Sequence, residues 1–126
     1  MKNRSLKKSF IFAFRGIYKA FQTESNMRRH IIAALLAILF SFLLEFNLME
    51  WAIMTLTIFS VMITELLNTA VEYTIDMTCG DKYSKIAEYA KDIAAGATLL
   101  AAIGAIIIGC LLYIPKIIEI LKEFIL

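Results

Sequence analysis

Three acidic residues and one asparagine recur along the second of three apolar stretches in this 126-residue sequence. The row consists of Glu65, Asn68, Glu72 and Asp76, at intervals of three, four and four residues. In an α-helix, which turns 100° per residue, these intervals place the four side chains within about 80° of one another. We call this row the acidic stripe. Neighbouring carboxylates on a membrane helix repel one another and are costly to remove from water, so the stripe indicates a functional site.

The acidic stripe is compatible with more than one chemistry. Carboxylate and carboxamide oxygens are the ligands that Mg²⁺ prefers, and Mg²⁺ usually takes one or two protein carboxylates together with phosphates and water. A further acid in the row could act as a general base toward a hydroxyl. The same residue types also carry protons or cations in membrane transporters. The stripe alone therefore leaves a metal-dependent enzyme and a small cation-coupled transporter as alternatives.

Other charged residues are expected at the same membrane face. Lys91 and Asp92 lie near the start of the third predicted membrane helix, where a lysine and free backbone N–H groups suit phosphate oxygens. Glu24 precedes a pair of arginines and could complete a metal site. The single histidine, His30, is expected to mark the entry of the first membrane helix into the headgroup region, and we assign it no functional role at this stage.

The elements that must position these residues are membrane helices. Hydrophobic residues make up 60% of the sequence, against roughly 45–50% in soluble domains. Charged residues are absent from three stretches, at residues 31–44, 51–64 and 93–115. Since a spanning helix needs about 20 residues, we predict three spans, near residues 29–47, 50–75 and 90–114. The chain is thus expected to be a single all-α integral membrane domain over residues 1–126.

The residues before the first span predict an amphipathic helix at about residues 4–27. Apolar residues recur every three or four positions, at Leu6, Phe10, Phe14, Ile17 and Phe21. Basic residues form a separate stripe, at Arg4, Lys8, Arg15 and Lys19. Such a helix lies in the plane of the lipid headgroups with its cations near phosphates. These cations could serve only to anchor the chain, or some could reach a nucleotide or a lipid phosphate.

The distribution of positive charge predicts the orientation. Eleven of the 13 lysine and arginine residues lie before the first span or around the loop between the second and third, and only Lys116 and Lys122 follow the third. The positive-inside rule then places the N-terminus and the acidic stripe on the cytoplasmic side and the C-terminus outside. The formal net charge of +2 is too small for a nucleic-acid-binding protein of this length, so we expect no nucleic-acid partner.

Small residues recur along the third predicted span. They occur at every fourth position, at Ala97, Ala101, Ala105 and Gly109. We call this row the small-residue ladder. Because small side chains let helix backbones approach closely, the ladder predicts tight helix packing and self-association of the chain.

The two polar clusters together resemble a known signature. Glu65-Leu-Leu-Asn68-Thr-Ala-Val-Glu72-Tyr-Thr-Ile-Asp76, followed by Ala90-Lys91-Asp92-Ile-Ala-Ala-Gly96-Ala, is similar to the motifs of the small bacterial integral-membrane lipid kinases, the prokaryotic diacylglycerol kinase and undecaprenol kinase family. The resemblance extends over nearly the whole chain. It implies ATP- and Mg²⁺-dependent phosphorylation of a lipid alcohol at the cytoplasmic face of the bacterial cell membrane, by a homotrimer. Undecaprenol is the favoured substrate and diacylglycerol the alternative.

The resemblance also implies a role for each matching residue. Glu24 and Glu72 would hold Mg²⁺ and, through it, the phosphates of ATP. Glu65 would accept the proton of the lipid hydroxyl, and Asn68 would orient Glu65 or a phosphate oxygen. The remaining implied contacts are Lys91 and Asp92 with the nucleotide, Asp76 and Tyr83 with the ATP pocket, Arg15 with the phosphates, and Arg28 with the lipid head.

Overall fold

The computed structural model describes residues 5–125, and within this range every regular element is a helix. The four helices are α1 (Leu6–Thr23), α2 (Ser25–Leu43), α3 (Leu48–Cys79) and α4 (Lys85–Ile125). By length and composition α2, α3 and α4 could each cross a membrane. The all-helical architecture, with three helices long and apolar enough to span a membrane, is therefore confirmed. Arg4, at the predicted start of the amphipathic helix, lies outside the described residues.

The chain breaks between α1 and α2 at a single residue. Glu24 adopts an extended conformation (φ −100°, ψ 117°), and its N–H donates to the carbonyl of Ala20 at 2.8 Å. The Arg28 guanidinium donates to the carbonyls of Phe21 and Gln22, at 3.0 Å each. These bonds satisfy carbonyl groups that the end of a helix leaves without intrahelical partners. The break lies before the predicted boundary near residue 27 because Arg28 folds back onto the end of α1.

A tight turn joins α2 to α3. Glu45 has a positive φ of 51°, a left-handed conformation that ends the helical path of α2. Asn47 then caps α3: its side-chain oxygen accepts from the Glu50 N–H at 3.0 Å, and the Glu50 carboxylate accepts from the Asn47 N–H at 2.8 Å. This reciprocal pair is a capping box, which satisfies two backbone donors at the start of the helix.

The α4 helix is longer than the third predicted span. It continues through Pro115 to Ile125, whereas the hydropathy pattern predicts an end near residue 114. Lys116 ties this part of α4 to the α2–α3 turn. Its ammonium group lies 3.1 Å from the Glu50 carboxylate and donates to the Glu45 carbonyl at 3.3 Å. The α4 helix thus continues beyond Pro115, and Lys116 holds this part of it against Glu45 and Glu50.

The helices pack most extensively between α3 and α4, and more lightly between α2 and α3. At the end nearest the α2–α3 turn, the Tyr113 and Ser41 hydroxyls both donate to the Ala37 carbonyl, at 2.7 and 2.8 Å. At the opposite end the Tyr73 hydroxyl donates to Thr23 Oγ1 at 3.0 Å. Most of the large apolar side chains are exposed on the single chain, as expected for surfaces that face lipid or a second subunit.

Candidate active site

The uninterrupted α3 helix positions the acidic stripe. No residue between Leu48 and Cys79 leaves the helix, so the intervals between the polar residues become one face of it. Glu65 is buried, with 1% of its surface exposed. Asn68 donates from Nδ2 to Glu72 Oε1 at 3.2 Å. Among the described residues, Glu65 Oε2 and Asn68 Oδ1 are buried oxygens without a hydrogen-bond partner.

The α1–α2 break brings a third carboxylate to the stripe. Glu24 occupies the extended residue between the two helices, and the Tyr73–Thr23 hydrogen bond holds this break against α3. As a result, both Glu24 and Glu72 lie close enough to Glu65 to interact with it electrostatically. Three carboxylates from two parts of the chain therefore interact electrostatically.

Lys91 supplies positive charge at the end of the stripe. Its ammonium group lies 2.5 Å from Asp76 Oδ1, and it also interacts electrostatically with Glu72. Both partners of the ion pair are partly exposed, with 40% of the Lys91 and 61% of the Asp76 side chain accessible. The α3–α4 packing thus places the lysine of the second polar cluster beside the carboxylates of the first. Asp92 is exposed on α4, next to Lys91.

Three other residues singled out by the sequence lie apart from the stripe. Arg15 is exposed on α1, with its guanidinium 5.4 Å from the centre of the Phe12 ring. Arg28 is engaged with the carbonyls at the end of α1. The Tyr83 hydroxyl donates to Glu88 at 2.7 Å, which raises the pKa of Tyr83. Within residues 5–125, no hydrogen bond or ion pair joins these three side chains to the acidic stripe.

The carboxylates fit a metal bound jointly with phosphates better than a cage made by protein alone. Within the described residues, no three His, Cys, Asp or Glu side chains converge as a complete metal site. Glu24 and Glu72 nevertheless both interact electrostatically with Glu65. The unpartnered oxygen of Asn68 lies beside Glu72. Two carboxylates with neighbouring oxygens suit Mg²⁺, which completes its octahedral shell with water and phosphate oxygens.

His30 is the site neighbour that sequence reasoning missed. Its Nε2 lies 3.8 Å from Glu65 Oε2. The two residues are 35 positions apart, so no helical periodicity links them. Only the packing of α2 against α3 reveals the contact.

An apolar cleft of about 320 Å³ begins beside this pair, between α2, α3 and α4. His30 lines one end and Tyr113 the other, and the walls include Ala34, Val61 and Gly109. A buried acid next to an apolar cleft can accept a proton from a hydroxyl group on an otherwise apolar molecule.

Comparison with known proteins gives a consistent result. The family model described as prokaryotic diacylglycerol kinase matches residues 11–113. The undecaprenol kinase of Bacillus subtilis is 43% identical over 110 residues, which cover 87% of this chain and 89% of that protein. The diacylglycerol kinase of Synechocystis is 42% identical over 113 residues, 90% of this chain and 65% of that protein. The diacylglycerol kinase of Escherichia coli is 31% identical over 101 residues, covering 80% and 82%.

Proposed function

Because this chain belongs to the prokaryotic diacylglycerol kinase family and is therefore a lipid kinase, we propose that it transfers the γ-phosphate of ATP to the hydroxyl of undecaprenol. The product is undecaprenyl phosphate. The observation that carries this proposal is the buried Glu65 carboxylate, which interacts electrostatically with Glu24 and Glu72 and lies 3.8 Å from His30, a residue that lines the apolar cleft. The reaction needs such a junction because it joins a charged nucleotide to an apolar alcohol.

In this proposal Glu24 and Glu72 would hold Mg²⁺, which would supply positive charge for the phosphates of ATP. The bound metal would neutralise the carboxylates and the charge that develops during phosphoryl transfer. Lys91 is well placed to contact a phosphate because it already lies beside Asp76 and Glu72. Four further residues complete the nucleotide site: Asp92, Asp76, Tyr83 and Arg15.

Glu65 acts as the general base. It accepts the proton of the lipid hydroxyl as that oxygen attacks the γ-phosphorus, and ADP leaves. Its burial supports this role, because a carboxylate without protein hydrogen bonds on Oε2 is free to accept one from substrate. Asn68 orients Glu65 or a phosphate oxygen, and Arg28 contacts the lipid head.

The membrane arrangement follows from the same proposal. The protein is a bacterial membrane protein with three spanning helices. We infer that α1 lies on the cytoplasmic membrane surface, with the N-terminus and the active site on that side and the C-terminus outside. Apolar side chains of α1 that support this placement, including Phe10 and Phe14, are exposed in the single chain. We also propose that residues 1–126 form a single membrane domain.

A homotrimer is the proposed assembly. A Cβ atom added at Gly96, Gly104 or Gly109 would meet no other atom of the chain within 4 Å. Packing within one chain therefore does not require glycine at these positions of α4. Close approach of a second subunit would require it.

Undecaprenol is favoured over diacylglycerol on two grounds. The alignment with the Bacillus subtilis undecaprenol kinase spans 89% of that protein, whereas that with the Synechocystis diacylglycerol kinase spans 65%. The ending Tyr113-Ile114-Pro115-Lys116 and the stretch Ala90–Ala97 also resemble the undecaprenol kinase branch. The alternative function, a cation-coupled transporter, is not favoured because the relatives of this chain are kinases.

The proposal is tested by offering lipid alcohols in parallel. Purified protein in bilayers receives radiolabelled ATP with undecaprenol or with diacylglycerol at matched mole fractions, and lipid phosphate is counted. We expect undecaprenol to be preferred by at least about tenfold in kcat/KM, about 1.4 kcal/mol of transition-state discrimination. A tenfold preference for diacylglycerol would reassign the substrate. Labelling of neither lipid would refute the proposal.

A further inference from the structure

The proposed reaction leaves a proton on a buried group. Glu65 takes the proton of the lipid hydroxyl, but only 2% of its side-chain surface is accessible. A buried acid cannot exchange a proton directly with water, and a base that stays protonated cannot act in the next turnover. The site therefore needs a second group that touches Glu65 and also reaches solvent.

His30 is placed to meet both conditions, because it lies beside Glu65 near the start of α2. Its Nε2 lies 3.8 Å from the unpartnered Oε2 of Glu65, and 24% of its side chain is accessible in the single chain. This separation is longer than a hydrogen bond, so proton transfer requires the two side chains to move closer; catalytic hydrogen bonds are often long before substrate binds. Histidine is also the side chain whose ordinary pKa allows it to gain and lose a proton near neutral pH.

The other charged groups around Glu65 are poorly suited to this task. Those that interact with it, besides His30, are Glu24 and Glu72. In the proposed function both carboxylates bind Mg²⁺, which makes them weak proton acceptors. Arg28 and Arg29, which precede His30 on α2, stay protonated at all relevant pH values.

We propose that His30 relays the proton from Glu65 to water. This inference rests on the proposed function. The lipid O–H bond breaks as the oxygen–phosphorus bond forms, and the proton moves to Glu65 Oε2. It passes to His30 Nε2, and the imidazolium releases it to solvent. Glu65 is then a carboxylate and His30 neutral again, ready for the next lipid. His30 acts through Glu65, because it takes the proton from that carboxyl group and not from the lipid hydroxyl.

The first test uses buffer-dependent rescue. His30→Ala is assayed in bilayers with undecaprenol and saturating MgATP at constant pH and ionic strength, with increasing imidazole. We expect its kcat to fall about 10- to 100-fold at low buffer and to rise several-fold with imidazole, while both KM values stay within about twofold. Wild-type kcat should not depend on imidazole. Arg29→Lys, a change at the next position of α2, should behave as wild type.

A second variant separates proton relay from positioning. His30→Gln keeps a side-chain donor but cannot carry a proton, so the relay predicts that it remains as slow as His30→Ala. It also serves as the test if His30→Ala fails to assemble. Full activity of either variant at low buffer, or a slow His30→Ala that imidazole does not accelerate, would overturn the relay. If the proposed function itself were wrong, the result would differ: the wild-type protein would phosphorylate no lipid alcohol.

An independent readout needs no turnover. His30 is the only histidine, so ¹⁵N-histidine labelling gives the signals of one imidazole. Glu65→Gln removes the charged neighbour and should shift both ring-nitrogen resonances, whereas Glu119→Gln, at an exposed position near the far end of α4, should leave them in place. Unchanged resonances in Glu65→Gln would show that the two side chains do not interact and would exclude the relay.

Discussion

Glu65 differs from the other members of the acidic stripe in its surroundings. It is 1% exposed and has an oxygen without a protein partner, whereas the Asp76 side chain is 61% exposed and paired with Lys91. A single helical face therefore carries groups in two environments. The buried end suits proton abstraction from an apolar alcohol, and the exposed end suits a hydrophilic nucleotide. This division follows the depth of each residue along α3.

At this residue scale we expect Glu65→Gln to abolish phosphoryl transfer, with a loss of at least about 10²–10⁴ in kcat. The carboxamide has nearly the same shape but cannot accept the proton. MgATP affinity should stay within about twofold, because Glu65 is not assigned to the metal. Rates from the radiolabel assay and nucleotide affinity from titration calorimetry check both parts. Wild-type turnover would remove Glu65 from the mechanism.

A separate residue-scale prediction concerns the metal. Glu24→Ala and Glu72→Ala should each raise the Mg²⁺ concentration needed for half-maximal activity by about tenfold or more, since each removes one of two protein carboxylates from the cation. Glu119→Ala is the matched control, because Glu119 is exposed near the end of α4 that is farthest from the stripe. Titration of activity with Mg²⁺ at fixed ATP gives the comparison. The metal assignment fails if both variants titrate like wild type.

At the scale of elements, the junctions between helices build the site. The extended residue Glu24 lets α1 turn away from α2 while its own carboxylate stays near α3. At the other end, the capping box of Asn47 and Glu50 starts α3, and Lys116 holds α4 against the same turn. These contacts join α3 to its neighbours near both of its ends.

The capping box gives a prediction for the element scale. Asn47→Ala should lower the free energy of unfolding by about 1 kcal/mol, because the N–H of Glu50 loses its acceptor at the start of α3. Activity per folded molecule should stay unchanged, since the turn is at the opposite end of α3 from the stripe. Unfolding titrations in mixed micelles provide the measurement. Asn47→Asp retains an acceptor oxygen and should unfold like wild type; equal stability of all three proteins would contradict the capping role.

At the scale of the whole molecule, a single chain leaves most of its large apolar side chains exposed. None of the described residues of α4 is buried within the chain, although the helix is the most apolar of the three candidate spans. Lipid can cover large side chains such as Leu100 and Ile106, but it gives no reason for Gly96 or Gly104 to lack a side chain. A second copy packed against α4 at these glycines would provide that reason.

We therefore expect Ala101→Leu to disrupt the proposed trimer. The larger side chain lies in the middle of the ladder, where close helix contact leaves no room for it. Native mass measurement in detergent should give smaller species, and lipid kinase activity should fall with the loss of assembly. Ala52→Leu makes the same change at an exposed position on α3 and should leave both unaffected. An intact trimer with full activity in Ala101→Leu would place the subunit contact elsewhere.

The sequence by itself determined the helical membrane architecture and the acidic stripe. Both depend on residues within a few turns of one another: long uncharged runs predict spans, and the intervals from Glu65 to Asp76 predict a common face because the helical period is known. The end of α4 was less predictable, because contacts of Lys116 with another part of the chain accompany its continuation past Pro115.

Only the tertiary structure decided which distant residues meet the stripe. Glu24 interacts electrostatically with Glu65 from the α1–α2 break, which Arg28 and Tyr73 hold in place, and His30 lies beside Glu65 because α2 packs against α3. The sequence indicated the chemistry of Glu24 but gave no reason to connect His30 with a carboxylate 35 positions away. Such contacts depend on how helices pack and cross, and the period of a single helix carries no information about the face that its neighbour presents.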